Sequence, residues 1–419
     1  MKTKAVRIYG KQDLRLETFD LPAIENDEIL MKIVCDSVCM STHKETNIGE
    51  EHWLVNNDIF TNPSIVGHEF AGVLVEVGGK WADKYEEGSS FTVQVALKDL
   101  SAGIAGYSMA HCGGSATHVI LHRAFMEQEN LLPFDSKFGF YSASMAEPIS
   151  CSVHAFRSMY HTTRGSYQHL MGIVEGGNCA MFAGCGPMGM GGIAYLLNCD
   201  RRPGCLVVTD ISSERLERVS RIFSPEYAKA RGVDIQFVNT ALESDPAQVL
   251  LDLTDGKGFD DISVYAPVKE VVELADSLLG RDGCLNFFSG PTDKQMKAEM
   301  NFYNVHYNST HVVGTSGSTT EDMREFLDIL SAGELDPAFM ITHIGGIDAV
   351  VDTVLNLPDI PGSKKLIYPH LTLELTAIED FAEKGKVDPV FAELAEIVSS
   401  NNGLWCVEAE AYLLEKMAS

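Results

Sequence analysis

Five apolar runs alternate with helix-like stretches along the middle of the chain. The runs are Cys179–Ala183, Leu206–Thr209, Ile235–Val238, Ile262–Tyr265 and Leu285–Phe288. Continuous apolar strands separated by helices are typical of a parallel sheet that is covered by helices on both faces. This pattern predicts an α/β fold with a doubly wound domain that ends near residue 312.

The segments on either side have a different pattern. Residues 1 to about 150 contain short β-rich runs bounded by Gly, Asp or Asn, and mixed strands and helices return after the doubly wound segment. A doubly wound domain inserted into a discontinuous, irregular β-rich domain explains this order. The predicted domains are 1–155 with 313–419, and 156–312. The tail from about residue 371 to 419 is helical in pattern and forms a C-terminal extension.

The charge balance narrows the class of partner. The chain has 419 residues with 32 basic and 59 acidic side chains, a formal net charge of -27. Nucleic acid and anionic membrane surfaces both require a basic face, so we expect neither as a partner. No apolar run approaches the roughly 18–20 residues of a membrane-spanning helix, and no apolar signal segment precedes the first strand-like run. The ten cysteines are scattered without a C-x2-C pair, which favours a cytoplasmic location over a disulfide framework.

A glycine-rich turn follows the first apolar run of the doubly wound segment. It reads Gly184-Cys185-Gly186-Pro187-Met188-Gly189 and precedes a helix-like stretch. Gly184 opens the turn, Gly186 permits close approach of the backbone to a pyrophosphate, and Gly189 permits close packing of helix on strand. The N–H groups at the helix N-terminus then face the phosphates. The expected cofactor-binding residues are Gly184, Gly186, Pro187, Met188 and Gly189; the alternative is a glycine turn without a ligand.

An acidic residue indicates which nicotinamide cofactor is preferred. Asp210 ends the next strand-like run, 21 residues after Gly189. A carboxylate at this position hydrogen-bonds both ribose hydroxyls and repels a 2′-phosphate, so we expect NAD(H) to be preferred over NADP(H). Arg215, five residues further on, is placed to reach the same ribose edge and would weaken that preference.

Four residues at wide sequence separation have the chemistry of an open zinc site. They are Cys39, His68, Glu69 and Glu147, a thiolate, an imidazole and two carboxylates. Taken singly, each has a structural alternative: a buried small hydrophobe, a packed histidine or a residue on a helix surface. Their order ahead of a dinucleotide-binding turn favours a metal site.

These residues also lie in motifs of a known family. Along about 370 residues the chain resembles the zinc-dependent medium-chain alcohol/polyol dehydrogenases, and the motifs are Cys39-Met40-Ser41, Gly67-His68-Glu69 and, typical of the sorbitol dehydrogenase-like branch, Glu147-Pro148-Ile149-Ser150. The resemblance implies a GroES-like catalytic domain and one catalytic zinc per chain. It implies that Cys39 and His68 bind this zinc, and that Glu147, or Glu69 in an alternative coordination state, completes the protein ligands.

Two departures from the family pattern affect these expectations. Most relatives carry four closely spaced cysteines for a second zinc, whereas Val95–Cys112 contains only Cys112, so we predict no structural zinc. The aspartate that usually follows the C-x-S motif is Thr42 here. A carboxylate would orient the His68 imidazole, and we expect Thr42 to do this more weakly.

The resemblance implies hydride transfer between a nicotinamide cofactor and a carbonyl, with Ser41 passing the proton and Glu69 as a further catalytic residue. The Glu-Pro motif implies a polyol or sugar substrate. The sequence further resembles bacterial L-sorbose-1-phosphate reductases, which implies conversion of L-sorbose 1-phosphate to D-glucitol 6-phosphate. Candidate phosphate contacts are His43, Lys44 and His52, whose alternative is a role as solvated loop residues.

Two other functions stay open at this point. One is an unphosphorylated polyol or threonine-type dehydrogenase of the same fold. The other is a non-catalytic nucleotide-binding relative, which the presence of all four candidate ligands disfavours. Whether the enzyme acts on a sugar phosphate or on an unphosphorylated polyol, we expect a small-molecule substrate and a homodimer or homotetramer.

Overall fold

The computed structural model describes residues 1–417, and its chain divides into two compact units. One unit combines Met1–Glu147 with the segment from Leu330 onward, and the other is Pro148–Ile329. Residues 418 and 419, the end of the predicted helical tail, lie outside the described residues. Within the described chain, no helix is both long enough and apolar enough to cross a membrane.

The first segment of the discontinuous unit consists of short strands joined by turns, as its β-rich runs and turn residues predict. The strands are β1 (Lys2–Gly10), β2 (Asp13–Asp20), β3 (Ile29–Ser37), β4 (Ser64–Ile65), β5 (Phe70–Val77), β6 (Ser90–Val93), β7 (His118–Leu121) and β8 (Leu131–Pro133). The helices are α1 (Met40–Ile48), α2 (Arg123–Glu127), α3 (Phe140–Ser144) and α4 (Ala146–Arg157).

The second unit alternates strands with helices. Its strands are β9 (Tyr160–Thr162), β10 (His169–Met171), β11 (Asn178–Phe182), β12 (Cys205–Asp210), β13 (Asp234–Asn239), β14 (Phe259–Val264), β15 (Leu279–Phe287) and β16 (His311–Gly314). Its helices are α5 (Pro187–Asn198), α6 (Ser213–Ile222), α7 (Pro225–Lys229), α8 (Pro246–Asp252), α9 (Lys269–Ser277), α10 (Phe302–Tyr307) and α11 (Thr320–Ser331). The order β13-β12-β11-β14-β15-β16, parallel throughout, is that of a Rossmann sheet.

The remaining segment completes the first unit. It contains the strands β17 (Ile341–Gly346), β18 (Lys364–Tyr368) and β19 (Thr376–Ala377), and the helices α12 (Val350–Leu355), α13 (Phe381–Lys384), α14 (Pro389–Ser400) and α15 (Val407–Met417). α14 begins at an Asp388 side chain that accepts a hydrogen bond from the Val390 N–H, with Pro389 in the first turn. These helices confirm the predicted C-terminal extension.

An eight-stranded mixed sheet forms the framework of the first unit. Its order is β19-β17-β18-β3-β5-β6-β8, and β7 pairs with the first half of β3. The central strand β3 therefore lies between β18 and β5 at its C-terminal end. Fully buried side chains such as Met31, Phe70 and Phe125 belong to the core that packs on this sheet.

The structure confirms the predicted α/β class, with the irregular β-rich part and the doubly wound part. The helical sequence pattern of residues 141–159 predicts a single helix, and this prediction is wrong in one respect, because the helix breaks at Met145 into α3 and α4. The functional domains predicted from the sequence, 1–155 with 313–419 and 156–312, remain predictions. The compact units change over within α4 and α11 instead.

Candidate active site

Three of the predicted metal ligands lie together in the first unit. One donor atom from each of Cys39, His68 and Glu69 lies within 4.8 Å of the others. Cys39 immediately precedes α1 and follows β3, while His68 and Glu69 immediately precede β5. Because β3 and β5 are antiparallel, with Asp36 opposite Phe70, the end of one strand and the start of the other meet.

The His68 ring lies between two hydroxyl groups. The Thr42 Oγ1 is 3.5 Å from Nδ1, at the outer limit of a hydrogen bond. On the other side, the Tyr107 Oη is 3.5 Å from Nε2, and the two rings stack with centroids 4.9 Å apart. The Tyr107 hydroxyl also interacts with the side chain of Ser41, the predicted proton relay.

A buried lysine neutralises Glu69. The Lys364 Nζ lies 2.5 Å and 2.6 Å from the two carboxylate oxygens, and the Ser37 hydroxyl donates a hydrogen bond to Oε2. Glu69 is fully buried and Lys364 nearly so. The neighbouring Glu69 and then the Cys39 thiol raise the pKa of Lys364, in opposition to the larger effect of burial. The lysine therefore remains charged.

The donor set fits zinc. Burial, followed by the Glu69 carboxylate, raises the pKa of the Cys39 thiol to about 12. Burial and then Cys39 raise the pKa of Glu45 well above its usual range, and neither carboxylate oxygen of Glu45 has a hydrogen-bond partner within the described chain. A divalent cation would reverse these effects, because it stabilises a thiolate and nearby carboxylates. Cysteine sulfur, imidazole nitrogen and carboxylate oxygen are the usual protein ligands of zinc, and this buried cluster offers all three.

Glu147 lies in the first turn of α4, close enough to the cluster to act electrostatically on Cys39, Tyr107 and Lys364. It is outside the group of donor atoms that Cys39, His68 and Glu69 form. Which carboxylate binds the metal therefore stays open between Glu69 and Glu147.

The three candidate phosphate contacts have different surroundings. Both ring nitrogens of His43 form hydrogen bonds within the protein: Nδ1 is 2.7 Å from the Val354 carbonyl oxygen, and Nε2 is 2.7 Å from the Asn47 amide nitrogen. His52 stacks on Tyr107 with centroids 6.0 Å apart, and burial lowers its pKa. Lys44 is half-buried on α1. Of the two histidines, His52 is therefore the one that contacts Tyr107, whose ring in turn stacks on the predicted zinc ligand His68.

Three residues of this site were missed by sequence reasoning: Lys364, Tyr107 and Glu45. Tyr107 lies outside the motifs described above, and Lys364 is 295 residues from its partner Glu69. Glu45 follows the C-x-S motif by one helical turn, so the spacing of α1 was the one available signal.

The dinucleotide-binding turn lies in the second unit, between β11 and α5. Gly186 caps α5, and Pro187 occupies its first turn. A Cβ at Gly189 would collide with the carbonyl oxygen of Gly184, so this position requires glycine for the helix to pack on the turn. A Cβ at Gly186 would meet nothing within 4 Å, which leaves open space beside the turn. The cradle fits a pyrophosphate.

Asp210 ends β12 and is almost fully buried. Its Oδ1 accepts a hydrogen bond from the Ser212 N–H at 2.9 Å, and the Arg215 Nη1 lies 3.7 Å from Oδ2. Oδ2 itself has no hydrogen-bond partner within the described chain. An acceptor without a donor at the end of β12 fits a ribose hydroxyl.

Comparison with known proteins agrees with this geometry. The family model for zinc-binding dehydrogenases matches residues 196–332. The chain is 48% identical to mannitol-1-phosphate 5-dehydrogenase of Aliivibrio fischeri over 414 residues, covering 99% of this chain and 98% of that protein. The chain belongs to the zinc-binding dehydrogenases. It is also 43% identical to L-sorbose 1-phosphate reductase of Klebsiella pneumoniae, over 98% of this chain and 97% of that protein.

A solved structure of an alcohol dehydrogenase has the same fold. The crystal structure of an alcohol dehydrogenase from Thermotoga maritima superposes with a TM-score of 0.71 at 19% identity, covering 88% of this chain and 100% of that chain. The predicted resemblance to the zinc-dependent medium-chain alcohol/polyol dehydrogenases is therefore confirmed, and the chain is an oxidoreductase of that family.

The buried ion pair gives a first prediction. Lys364→Met should lower the free energy of unfolding of the metal-free protein by about 3–5 kcal/mol, because the Glu69 carboxylate stays buried without its cation. The double variant Lys364→Met/Glu69→Gln should recover most of this loss, since neither charge remains. Denaturant unfolding of the metal-free proteins measures both; a single variant as stable as the unaltered chain would contradict the prediction.

Proposed function

We propose that this enzyme interconverts a ketose phosphate and a hexitol phosphate, with L-sorbose 1-phosphate and D-glucitol 6-phosphate as its pair. The cluster of Cys39, His68 and Glu69 carries the reaction class, because it supplies an open zinc site to an oxidoreductase. Full-length similarity to two relatives whose names both specify phosphorylated substrates supports the substrate class.

One zinc per chain would be held by Cys39, His68 and a carboxylate. Glu69 is already paired with Lys364 and Ser37, which favours Glu147 as the third ligand while this ion pair is intact. When bound, zinc acts as a Lewis acid that polarises a carbonyl or lowers the pKa of a hydroxyl. Lys364 keeps Glu69 neutralised and so limits the negative charge around the metal.

The chain's own residues would move the proton. The Ser41 hydroxyl, at the start of α1, interacts with Tyr107, whose ring stacks with those of His68 and His52. Ser41 would exchange a proton with the substrate oxygen and pass it along these hydroxyl groups. The raised pKa of Tyr107, caused first by burial and then by Glu45, keeps its hydroxyl protonated as a donor.

A second substrate pair is favoured by the 48% identical relative. A mannitol-1-phosphate 5-dehydrogenase by its name oxidises a carbon four positions from the phosphate-bearing carbon, whereas L-sorbose 1-phosphate has its carbonyl next to that carbon. The two candidates therefore require different distances between the metal and the phosphate site. Lys44 and His52 are the proposed phosphate contacts, because both ring nitrogens of His43 are already hydrogen-bonded within the protein.

We propose that NAD(H) is preferred over NADP(H). The Asp210 carboxylate would accept a hydrogen bond from a ribose hydroxyl and repel a 2′-phosphate. Arg215, at 3.7 Å, neutralises Asp210 in part and would reduce the preference. We further propose a cytoplasmic homodimer or homotetramer; all ten cysteines are free, which suits a reducing compartment.

Substrate comparison tests the proposed function. With zinc-loaded protein and NADH, kcat/KM for L-sorbose 1-phosphate should exceed that for L-sorbose by about 10- to 100-fold, the value of one or two charge-assisted hydrogen bonds. D-Fructose 6-phosphate and D-fructose are the matched second pair, and their use in preference to the sorbose pair would support the second candidate. Equal rates with and without phosphate would reject the sugar-phosphate reading and favour an unphosphorylated polyol.

Lys44 should affect the phosphate selectively. Lys44→Ala should raise KM for the phosphorylated ketose about tenfold or more and leave KM for the free ketose nearly unchanged, because one cation is lost from the phosphate site. Lys84→Ala, a change of a partly exposed lysine in the same unit, serves as the control. An equal effect on both ketoses would remove Lys44 from the proposed phosphate site.

The cofactor preference depends on Asp210. Asp210→Ala should shift the ratio of kcat/KM for NADH to that for NADPH toward NADPH by about tenfold or more, since it removes one repulsive pair of charges. Asp234→Ala, at an exposed position that starts β13, is the control. If the unaltered enzyme already prefers NADPH, Arg215 outweighs Asp210 and the proposal is wrong.

A further inference from the structure

The C-terminal extension places one buried carboxylate against the catalytic part of the first unit. Glu410, on α15, is 3% exposed. Its Oε2 accepts a hydrogen bond from the Phe140 N–H at 2.6 Å. Its Oε1 accepts from the Tyr141 N–H at 2.8 Å and from the Tyr368 hydroxyl at 3.0 Å. The carboxylate thus joins three chain segments that are far apart in sequence.

Burying this carboxylate costs free energy of folding. No cation pairs with Glu410 within the described chain, and burial raises its pKa to about 7, although the three donors lower it. A buried carboxylate held only by N–H and O–H groups is less favourable than an apolar side chain of similar volume. In return, Glu410 fixes the positions of the three groups that donate hydrogen bonds to its two oxygens.

The first two donors start the short helix α3. Within α3, the carbonyl of Tyr141 accepts hydrogen bonds from the Ser144 hydroxyl at 2.8 Å and the Met145 N–H at 3.2 Å. α4 begins at the next residue, and Glu147 is six residues beyond Tyr141. Glu410 therefore binds the beginning of α3, and the helix that directly follows α3 carries Glu147.

The third donor belongs to β18. Tyr368 lies four residues after Lys364, on the same face of that strand. Its hydroxyl also accepts a hydrogen bond from the Trp405 indole N–H at 3.0 Å, just before α15. The extension thereby contacts β18, which carries Lys364, and α3, which directly precedes α4 and its Glu147.

We propose that Glu410 is a positioning residue through which the C-terminal extension sets the place of Glu147 beside Cys39 and His68. This inference rests on the zinc site of the proposed function. The solved Thermotoga alcohol dehydrogenase matches over its full length but covers only 88% of this chain, so part of this chain has no counterpart there. The extension acts on the metal centre from outside it, by way of α3.

Glu410→Gln tests the proposal. Glutamine keeps the volume but replaces one acceptor oxygen with an amide that faces N–H or O–H donors, so the start of α3 must shift. Chelator competition should show zinc binding weakened by about tenfold or more, the usual scale for loss of a residue that supports a metal ligand. The absorption spectrum of the Co²⁺-substituted protein should change as well. Glu408→Gln, at an exposed position of the same helix, should change neither.

A double-variant cycle distinguishes the proposed positioning role of Glu410 from a purely structural role. If Glu410 acts through Glu147, Glu410→Gln should not weaken zinc binding further in a Glu147→Gln background. Equal weakening in both backgrounds, or a lower melting temperature with unchanged zinc affinity and Co²⁺ spectrum, would overturn the proposal. If Glu410→Gln does not fold, Tyr368→Phe removes one donor to the carboxylate and should give a smaller change in the same direction; no change there overturns it.

Failure of the zinc site itself is distinguished by Cys39→Ser. If this variant binds zinc as tightly as the unaltered chain, the proposed metal site is wrong and the role of Glu410 fails with it. If Cys39→Ser abolishes binding while Glu410→Gln leaves the affinity unchanged, the zinc site stands and only the positioning proposal is rejected.

Discussion

The position of β3 between β18 and β5 is the constraint on which the candidate metal site depends. At the end of β3, the Ser37 N–H donates to the Glu69 carbonyl at 2.9 Å, and the Val38 N–H donates to the Lys365 carbonyl at 2.9 Å. These bonds hold the start of β5 on one side and β18 on the other. A slip of one residue in either pairing would turn the donor side chains to the opposite face of the sheet.

Acidic and soft groups exceed cations around this point of the sheet. Glu45, Glu69 and Glu147 all lie close enough to Cys39 to interact with it electrostatically, and Lys364 is the cation among them. Burial raises the pKa of Cys39 and of Glu45, and a divalent cation is the agent that lets both ionise together. Lys364 balances the charge of the Glu69 carboxylate, and a zinc ion would balance the Cys39 thiolate and a further carboxylate.

The nucleotide-binding turn follows a simpler logic. It depends on one close approach, at Gly189, and on one acceptor, at Asp210, and both lie within a single β-α-β segment. Backbone geometry and a short sequence separation are enough to specify it. This explains why the spacing of the glycines and of Asp210 predicted their places in the fold without knowledge of any distant contact.

Sequence alone therefore determined the local parts of this protein: the α/β class, the doubly wound segment, the turn at Gly184–Gly189, and the residues Cys39, His68 and Glu69, whose motifs flank paired strands. Only the tertiary structure decided which groups surround them. Lys364 is 295 residues from Glu69, and Glu410 is 269 residues from Tyr141. A hydrogen bond or ion pair at that separation leaves no period or spacing in the sequence, because it depends on which strands become neighbours. The break between α3 and α4 at Met145 was hidden because the segments on both sides of it have helical patterns.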